Sequence, residues 1–199
     1  MTQAKILVLN ELLLSGNGII KTETLNKNKF TSRDINQLLT IGMLKKIKQG
    51  HYIGKERDIS DMELVAKLIP AGVLCLFSAA EYYELTTVNP SEICMALPRS
   101  ATCPSLPSNL FVKIYHMTDR HFEAGIIEVD VNGAMVRMYD IEKTICDCFK
   151  YDNEVEKSIA LEVLKNYIDK RNCDIQKLLR YAKLLGKKKV IYPYVEALI

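Results

Sequence analysis

Four polar residues with the chemistry to read DNA bases lie close together in the first third of the chain. Ser32, Arg33, Asn36 and Gln37 follow spacings that place them on one face of a helix. Arginine can bind guanine through two hydrogen bonds in the major groove, and asparagine and glutamine can bind adenine in the same way. The segment therefore predicts a DNA-reading helix over about residues 33–40.

Apolar and basic residues alternate immediately afterwards, from Met43 to Ile53. This alternation is typical of a β-hairpin, and Gln49-Gly50 supplies a tight turn. Lysines on such a hairpin are expected to contact phosphates, which position a protein on DNA without selecting a sequence. The predicted DNA-binding residues are Lys27, Lys29, Ser32, Arg33, Asn36, Gln37, Lys45, Lys46, Lys48 and His51.

Three short helices must position these side chains. Apolar periodicity predicts helices at Gln3–Leu14 and around Lys21–Leu25, and the third helix follows a capping residue, Thr31 or Ser32. Two short helices, a polar turn and a basic hairpin form the pattern of a winged helix-turn-helix domain. We therefore predict such a domain over residues 1–57.

The remaining residues, 58–199, are expected to form a mixed α/β domain that ends in helices, so the whole chain is predicted to be α+β. Asn132-Gly133 is a strong signal for a type I′ turn between two strands. The predicted strands cover residues 92–97, 111–115, 125–131 and 134–138. The predicted helices cover residues 61–68, 72–85, 140–151, 155–168 and 174–185, with a short one before Ile199.

Charge is unevenly distributed along the 199 residues, although the net charge is only +3. Residues 1–57 carry a net charge of +6, residues 58–153 carry −7, and residues 154–199 carry +4. This layout indicates polyanion contact at both ends, while chance variation on a solvated surface is the alternative. An apolar fraction of 48% excludes wholesale disorder, and no run of residues is apolar enough to span a membrane. We expect a cytoplasmic protein with reduced cysteines.

A second basic face is predicted near the C-terminus. It consists of Lys177, Arg180, Lys183 and Lys187, opposite an apolar stripe of the predicted helix 174–185. A solvated helix face is the more common explanation of such a pattern. A second nucleic-acid surface is the alternative.

The residues that would suggest catalysis favour a structural role. Glu142 and Asp147 do not share a helix face cleanly, Asp140 is suited to cap the helix, and Thr144 and Asp147 are spaced to form a local bond. The six cysteines form no Cys-x-x-Cys pair, and the histidines are poorly spaced for zinc. We predict no catalytic residue, no metal site and no cofactor.

Several stretches in a fixed order resemble the AbiEi antitoxins of abortive-infection toxin–antitoxin systems, which are also described as transcriptional regulators of viral defence. The resemblance covers nearly the whole chain. The chain departs from the family pattern at Ile141, where the family often has proline, and at Lys143, where the family often has arginine. The stretches that carry it are Ile41–Tyr52, Leu76–Thr86, Met95–Arg99, Met138–Asp147 and Leu178–Gly186.

The resemblance implies a winged helix that represses its own operon at inverted repeats in double-stranded DNA. It also implies a C-terminal domain that counters a nucleotidyltransferase-like toxin as a type IV system, without a stable complex. The rival hypothesis is an enzyme, a metal-dependent nuclease or a modifier of the toxin, with Glu128 and Asp130 as its acidic residues.

Overall fold

The structure is a computed structural model that describes residues 2–15, 18–55, 59–170 and 172–199. These residues form ten helices and eight strands in two sheets, which confirms the expected α+β fold. The chain divides into two compact units. Unit 1 contains Met1–Ser60 and Ser105–Asn109, and unit 2 contains Asp61–Pro104 and Leu110–Ile199. The predicted boundary between residues 57 and 58 lies outside the described residues.

Unit 1 combines three helices with a small antiparallel sheet. The strand order is β1-β3-β2, and Ile20 of β1 pairs with Tyr52 of β3. The sequence analysis missed β1, because a strand of three residues has no detectable alternation and forms only by pairing with the distant hairpin. The elements are α1 Gln3–Ser15, β1 Ile19–Lys21, α2 Thr22–Lys27, α3 Ser32–Thr40, β2 Leu44–Lys48 and β3 His51–Gly54.

Every helix of unit 1 contributes to one hydrophobic core. Leu9 of α1, Leu25 of α2 and Leu38 of α3 are fully buried in it, together with Phe30 and Ile35. Burial of side chains of this size contributes about 1.5–3 kcal/mol each. Because α3 packs with Ile35 and Leu38 inward, its opposite face points to solvent.

Unit 2 contains a five-stranded mixed sheet in the order β6-β5-β4-β8-β7 and seven helices among its described residues. The predicted turn at Asn132-Gly133 is confirmed, with φ of 55° and 83° joining β7 to β8. The elements are α4 Asp61–Leu68, β4 Val73–Leu74, α5 Leu76–Tyr82, β5 Ile93–Pro98, β6 Val112–Met117, α6 Asp119–Phe122, β7 Ile126–Val131, β8 Ala134–Tyr139, α7 Ile141–Lys150, α8 Lys157–Ile168, α9 Ile175–Leu184 and α10 Lys188–Leu198.

The predicted helix over residues 72–85 is wrong in its first part. Val73 and Leu74 form the central strand β4, which pairs antiparallel with β5 and parallel with β8. Both residues are fully buried, so the segment is apolar on both faces and cannot be told from a buried helix by periodicity. The helix that follows, α5, begins only at Leu76.

The last helix, α10, is longer than expected and continues through Pro193 over 11 residues. No helix in the described part of the chain is long and apolar enough to cross a membrane.

Candidate nucleic-acid interface

A reciprocal cap fixes the start of α3. The Asp34 backbone N–H donates to Thr31 Oγ1 at 3.2 Å, and the Thr31 backbone N–H donates to Asp34 Oδ2 at 2.8 Å. This capping box satisfies two backbone donors that a helix end otherwise leaves unpaired. The predicted capping position is therefore occupied by Thr31, and α3 begins at Ser32.

An ion pair ties this cap to the first helix. Lys5 Nζ of α1 lies 2.7 Å from Asp34 Oδ2, and it also lies 5.7 Å from the centroid of the Phe30 ring. The hydrogen bonds from Lys5 and Thr31 hold the pKa of the Asp34 carboxyl well below its usual range. Asp34 is therefore ionised at neutral pH, and its charge at the helix N-terminus is balanced by Lys5.

The outward face of α3 carries the predicted base-reading residues. Ser32, Arg33, Asn36 and Gln37 are all exposed. Among the described residues, none of these four side chains has a hydrogen-bond or ion-pair partner. The structure thus brings the four predicted residues together on one solvent-facing surface with their donors and acceptors free for a ligand.

The β2–β3 hairpin places further cations in the same unit. Lys45 and Lys46 are exposed, while Lys48 and His51 are half-buried. Gly50, with φ of 75°, forms the turn between the strands. The expected basic hairpin is present.

Two of these cations are held by nearby oxygens. Lys46 Nζ donates to Gln49 Oε1 at 3.1 Å, and Lys48 Nζ donates to the Ser105 carbonyl at 2.9 Å. Each ammonium has three donors, so these contacts leave donors available for phosphate oxygens.

Lys27 is the last residue of α2 and Lys29 follows it by two positions, and both are exposed. Lys29 has φ of 63°, a left-handed conformation that favours glycine. The Phe30 N–H donates to the Leu25 carbonyl and the Lys29 N–H to the Asn26 carbonyl, which closes the helix end.

Unit 1 is strongly cationic over its described residues. These residues include nine lysines and arginines but only three carboxylates, which are Glu11, Glu23 and Asp34. The Asp34 carboxylate is neutralised by its ion pair with Lys5. A surface of this sign attracts a polyanion, and the attraction weakens as salt concentration rises.

The predicted second basic face in unit 2 is only partly present. Lys177 Nζ lies 2.8 Å from Glu142 Oε2 and 3.1 Å from Asp140 Oδ2, and Lys187 Nζ lies 2.8 Å from Asp152 Oδ2. Partial burial acts to lower the pKa of Lys177, but its hydrogen bonds to Glu142 and Asp140 raise it.

Two of the four predicted cations are thus engaged in ion pairs, and a second nucleic-acid surface at this face stays a prediction. Lys177 and Lys187 are matched by carboxylates of unit 2 itself, which sequence spacing within one helix does not reveal. Arg180 and Lys183 are exposed.

The N-terminus of helix α7 is capped by a side chain. Asp140 caps it as predicted, with Oδ1 accepting from the Lys143 N–H at 2.9 Å. The predicted bond between Thr144 and Asp147 is absent, because the Thr144 hydroxyl donates to the Asp140 carbonyl at 2.8 Å instead.

Lys143 and Asp147 form a fully buried ion pair with 2.6 Å between Nζ and Oδ2. Lys143 Nζ also lies 4.1 Å from the centroid of the Tyr139 ring. Burial raises the pKa of the Asp147 carboxyl, and the Lys143 charge opposes this shift. Neither side chain has any solvent exposure, so the two charges leave water together and compensate each other in the core.

Glu128 and Asp130 lie on β7 as expected, opposite Arg137 and Met135 of β8. Asp130 Oδ1 accepts a hydrogen bond from the Gly133 N–H at 2.7 Å, so this carboxylate stabilises the hairpin turn. Across the described ranges, no three His, Cys, Asp or Glu side chains are grouped to hold a metal ion.

The two units together define a mixed α+β protein with about ten helices and two sheets. The fold is similar to the crystal structure of RV2827C protein from Mycobacterium tuberculosis, with a TM-score of 0.62 and 17% sequence identity. The match covers 91% of this chain and 75% of that chain. At this level of identity the likeness concerns the fold. No family model matches the sequence, and no curated protein is significantly similar to it.

Proposed function

We propose that the chain is a DNA-binding repressor of its own operon and the antitoxin of a nucleotidyltransferase-like toxin. In this proposal unit 1 is a winged helix, α3 enters the major groove, and the β2–β3 hairpin is the wing. Unit 2 carries the antitoxin activity. The protein acts without catalysis of its own.

The observation that carries the DNA-binding part is the outward face of α3. Arg33, Asn36 and Gln37 combine the side-chain types that read guanine and adenine, and all three are exposed and unpartnered among the described residues. A helix presented this way in a unit with a threefold excess of cations fits duplex DNA, which supplies both base edges and phosphates.

The antitoxin part is supported by the resemblance to the AbiEi antitoxins, which extends through unit 2. The stretch Met138–Asp147 of that resemblance forms the end of β8 and the start of α7. Its charged residues, Lys143 and Asp147, are buried, so we place toxin neutralisation on the surface of unit 2 rather than at this pair.

Binding of the purified protein to a duplex from its own promoter tests the DNA-binding part. We expect log K to fall linearly with log[salt], with a slope of about −0.9 for each phosphate neutralised. A scrambled duplex of equal length is the control, and we expect it to bind more weakly at every salt concentration. Binding without salt dependence would contradict the proposal.

Separation of the two activities tests the whole assignment in cells. Arg33→Ala and Lys48→Ala should relieve repression of a promoter fusion and leave rescue from the toxin intact, because both residues lie in unit 1. Arg120→Ala and Lys165→Ala, at exposed positions of unit 2, are matched controls that should retain repression. A folded Arg33→Ala protein that loses both activities would count against separate modules.

A further inference from the structure

A short piece of chain from the middle of the sequence belongs to the cationic unit. Ser105–Asn109, here called the inserted segment, groups with unit 1, whereas the residues on both sides of it group with unit 2. The Ser105 carbonyl accepts the hydrogen bond from Lys48 Nζ at 2.9 Å. A residue predicted to bind phosphate is thus held by a segment that lies 57 positions away in sequence.

The charge of this region differs from that of its surroundings. Residues 58–153 contain 14 aspartates and glutamates, yet none of them lies between Ile93 and Thr118. The basic residues in that stretch are Arg99, Lys113 and His116. The inserted segment therefore brings no negative charge to unit 1.

The inserted segment also combines a restricted backbone with exposed polar residues. Pro107 and the preceding Pro104 restrict the backbone, which reduces the entropy lost when the segment is ordered. Leu106 and Pro107 are half-buried, while Ser105, Ser108 and Asn109 are exposed. Serine hydroxyls, asparagine amides and backbone N–H groups are common donors to phosphate oxygens.

We propose that the inserted segment is a second DNA-backbone contact of unit 1, next to the β2–β3 hairpin. This inference rests on the proposed DNA binding and extends its surface. The Ser105 carbonyl holds the Lys48 ammonium in place, so that its remaining donors reach a phosphate with less loss of side-chain freedom. Ser108 and Asn109 supply neutral donors to the same strand.

Charge substitutions at Asn109 test the proposal in the full-length protein. Asn109→Asp places a carboxylate beside the phosphates and should weaken binding to the promoter duplex about five- to tenfold at about 50 mM salt, less at about 200 mM. Asn109→Lys should strengthen binding and make the slope of log K against log[salt] steeper by about 0.9.

Asn153 provides matched controls, because it is an exposed asparagine in a turn of unit 2. Asn153→Asp and Asn153→Lys change the net charge equally and should leave affinity and salt slope near those of the parent. Thermal unfolding of all four variants is the check that each of them is folded.

The outcomes separate the inference from the function on which it rests. Opposite changes in DNA affinity for Asn109→Asp and Asn109→Lys, with no change for the Asn153 variants, support the inserted segment as a phosphate contact. If the parent binds DNA and the Asn109 variants behave like the Asn153 variants, the inference is overturned while DNA binding stands. If the parent itself shows no salt-dependent binding, the proposed function fails.

Discussion

The Lys5 ammonium lies 2.7 Å from the Asp34 carboxylate, which joins α1 to the cap of α3. Asp34 both closes the capping box and carries a negative charge at the end of a helix that we propose to face DNA. Lys5 balances that charge. The pair thus links the cap next to Arg33 to a residue in the first helix.

Lys5→Met should reduce the preference for the promoter duplex over a scrambled duplex, because Asp34 is left unbalanced beside the base-reading face. Lys5→Arg should restore most of the preference. Lys21→Met removes the same charge from an exposed position of β1 and is the control. Binding titrations on both duplexes measure the ratio. Equal ratios for Lys5→Met and Lys21→Met would refute the positioning role.

Arg33 and Lys45 should differ in what their loss changes. Arg33→Ala is expected to cost about 1–3 kcal/mol of discrimination at one base-pair position, since a bidentate contact to a base edge is lost. Lys45→Ala should weaken binding to all duplexes equally and reduce the salt slope by about 0.9. Titrations against a set of single-base variants of the promoter duplex distinguish the two. A uniform loss for Arg33→Ala would place it on the phosphate backbone.

Lys29→Gly should stabilise the protein and weaken DNA binding at the same time. The left-handed conformation at φ of 63° strains lysine by about 1–2 kcal/mol, which glycine relieves in part. The lost charge removes a predicted phosphate contact. Urea unfolding and DNA titration give the two quantities.

Glu84→Gly is the matched control in unit 2, where Glu84 closes α5 at φ of 54°. It should stabilise the protein similarly and leave DNA affinity unchanged. A fall in the free energy of unfolding for either variant would contradict the strain argument.

Removal of one member of the buried pair in α7 should be far more costly than removal of both. Lys143→Met leaves the Asp147 carboxylate unpaired in the core and should destabilise by about 3–5 kcal/mol. The double variant Lys143→Met/Asp147→Leu should recover much of this loss, because no buried charge remains. Asp147 Oδ1 already has no hydrogen-bond partner among the described residues. Urea unfolding of the parent, Lys143→Met and the double variant measures these losses, and a double variant no more stable than Lys143→Met would contradict the explanation.

His121 should make unit 2 less stable in mild acid. Burial and the charges of Lys150 and Lys143 lower the pKa of His121 from its usual value of 6.5, and Lys150 Nζ lies 3.1 Å from its Nδ1. The unfolded chain therefore binds a proton below about pH 6.5 that the folded chain binds less readily. Stability falls as the pH drops through that window and is regained above it.

His121→Gln should weaken this pH dependence in urea unfolding at about pH 5.5 and about pH 7.5. His116→Gln, at an exposed position of β6, is the control for the loss of a histidine. An unchanged pH dependence in His121→Gln would show that other groups cause the acid sensitivity.

Local patterns predicted the parts of the fold that local patterns determine. The α3 helix with its Thr31–Asp34 cap, the β2–β3 hairpin and the Asn132-Gly133 turn follow from neighbouring residues. The exposed polar face of α3 followed from the same periodicity, since burial of Ile35 and Leu38 determines which side faces out.

Contacts between distant residues were missed. Strand β4 depends on partners at Met95 and Met138, and Lys5 and Asp34 are 29 positions apart. The neutralisation of Lys177 by Asp140 and Glu142 likewise joins two helices. Sequence spacing gives no sign of these pairings, because charged residues are also compatible with a solvated surface and a short apolar run is also compatible with a buried helix.

The grouping of Ser105–Asn109 with the first sixty residues has a consequence for synthesis on the ribosome. The N-terminal unit does not have all its residues when Ser60 emerges, and it gains the rest only after Asn109 has left the exit tunnel. A fragment cut after Ser60 would likewise lack the carbonyl that holds Lys48. Unit 1, the proposed DNA-binding unit, can therefore complete its folding only after part of the sequence of unit 2 has been translated.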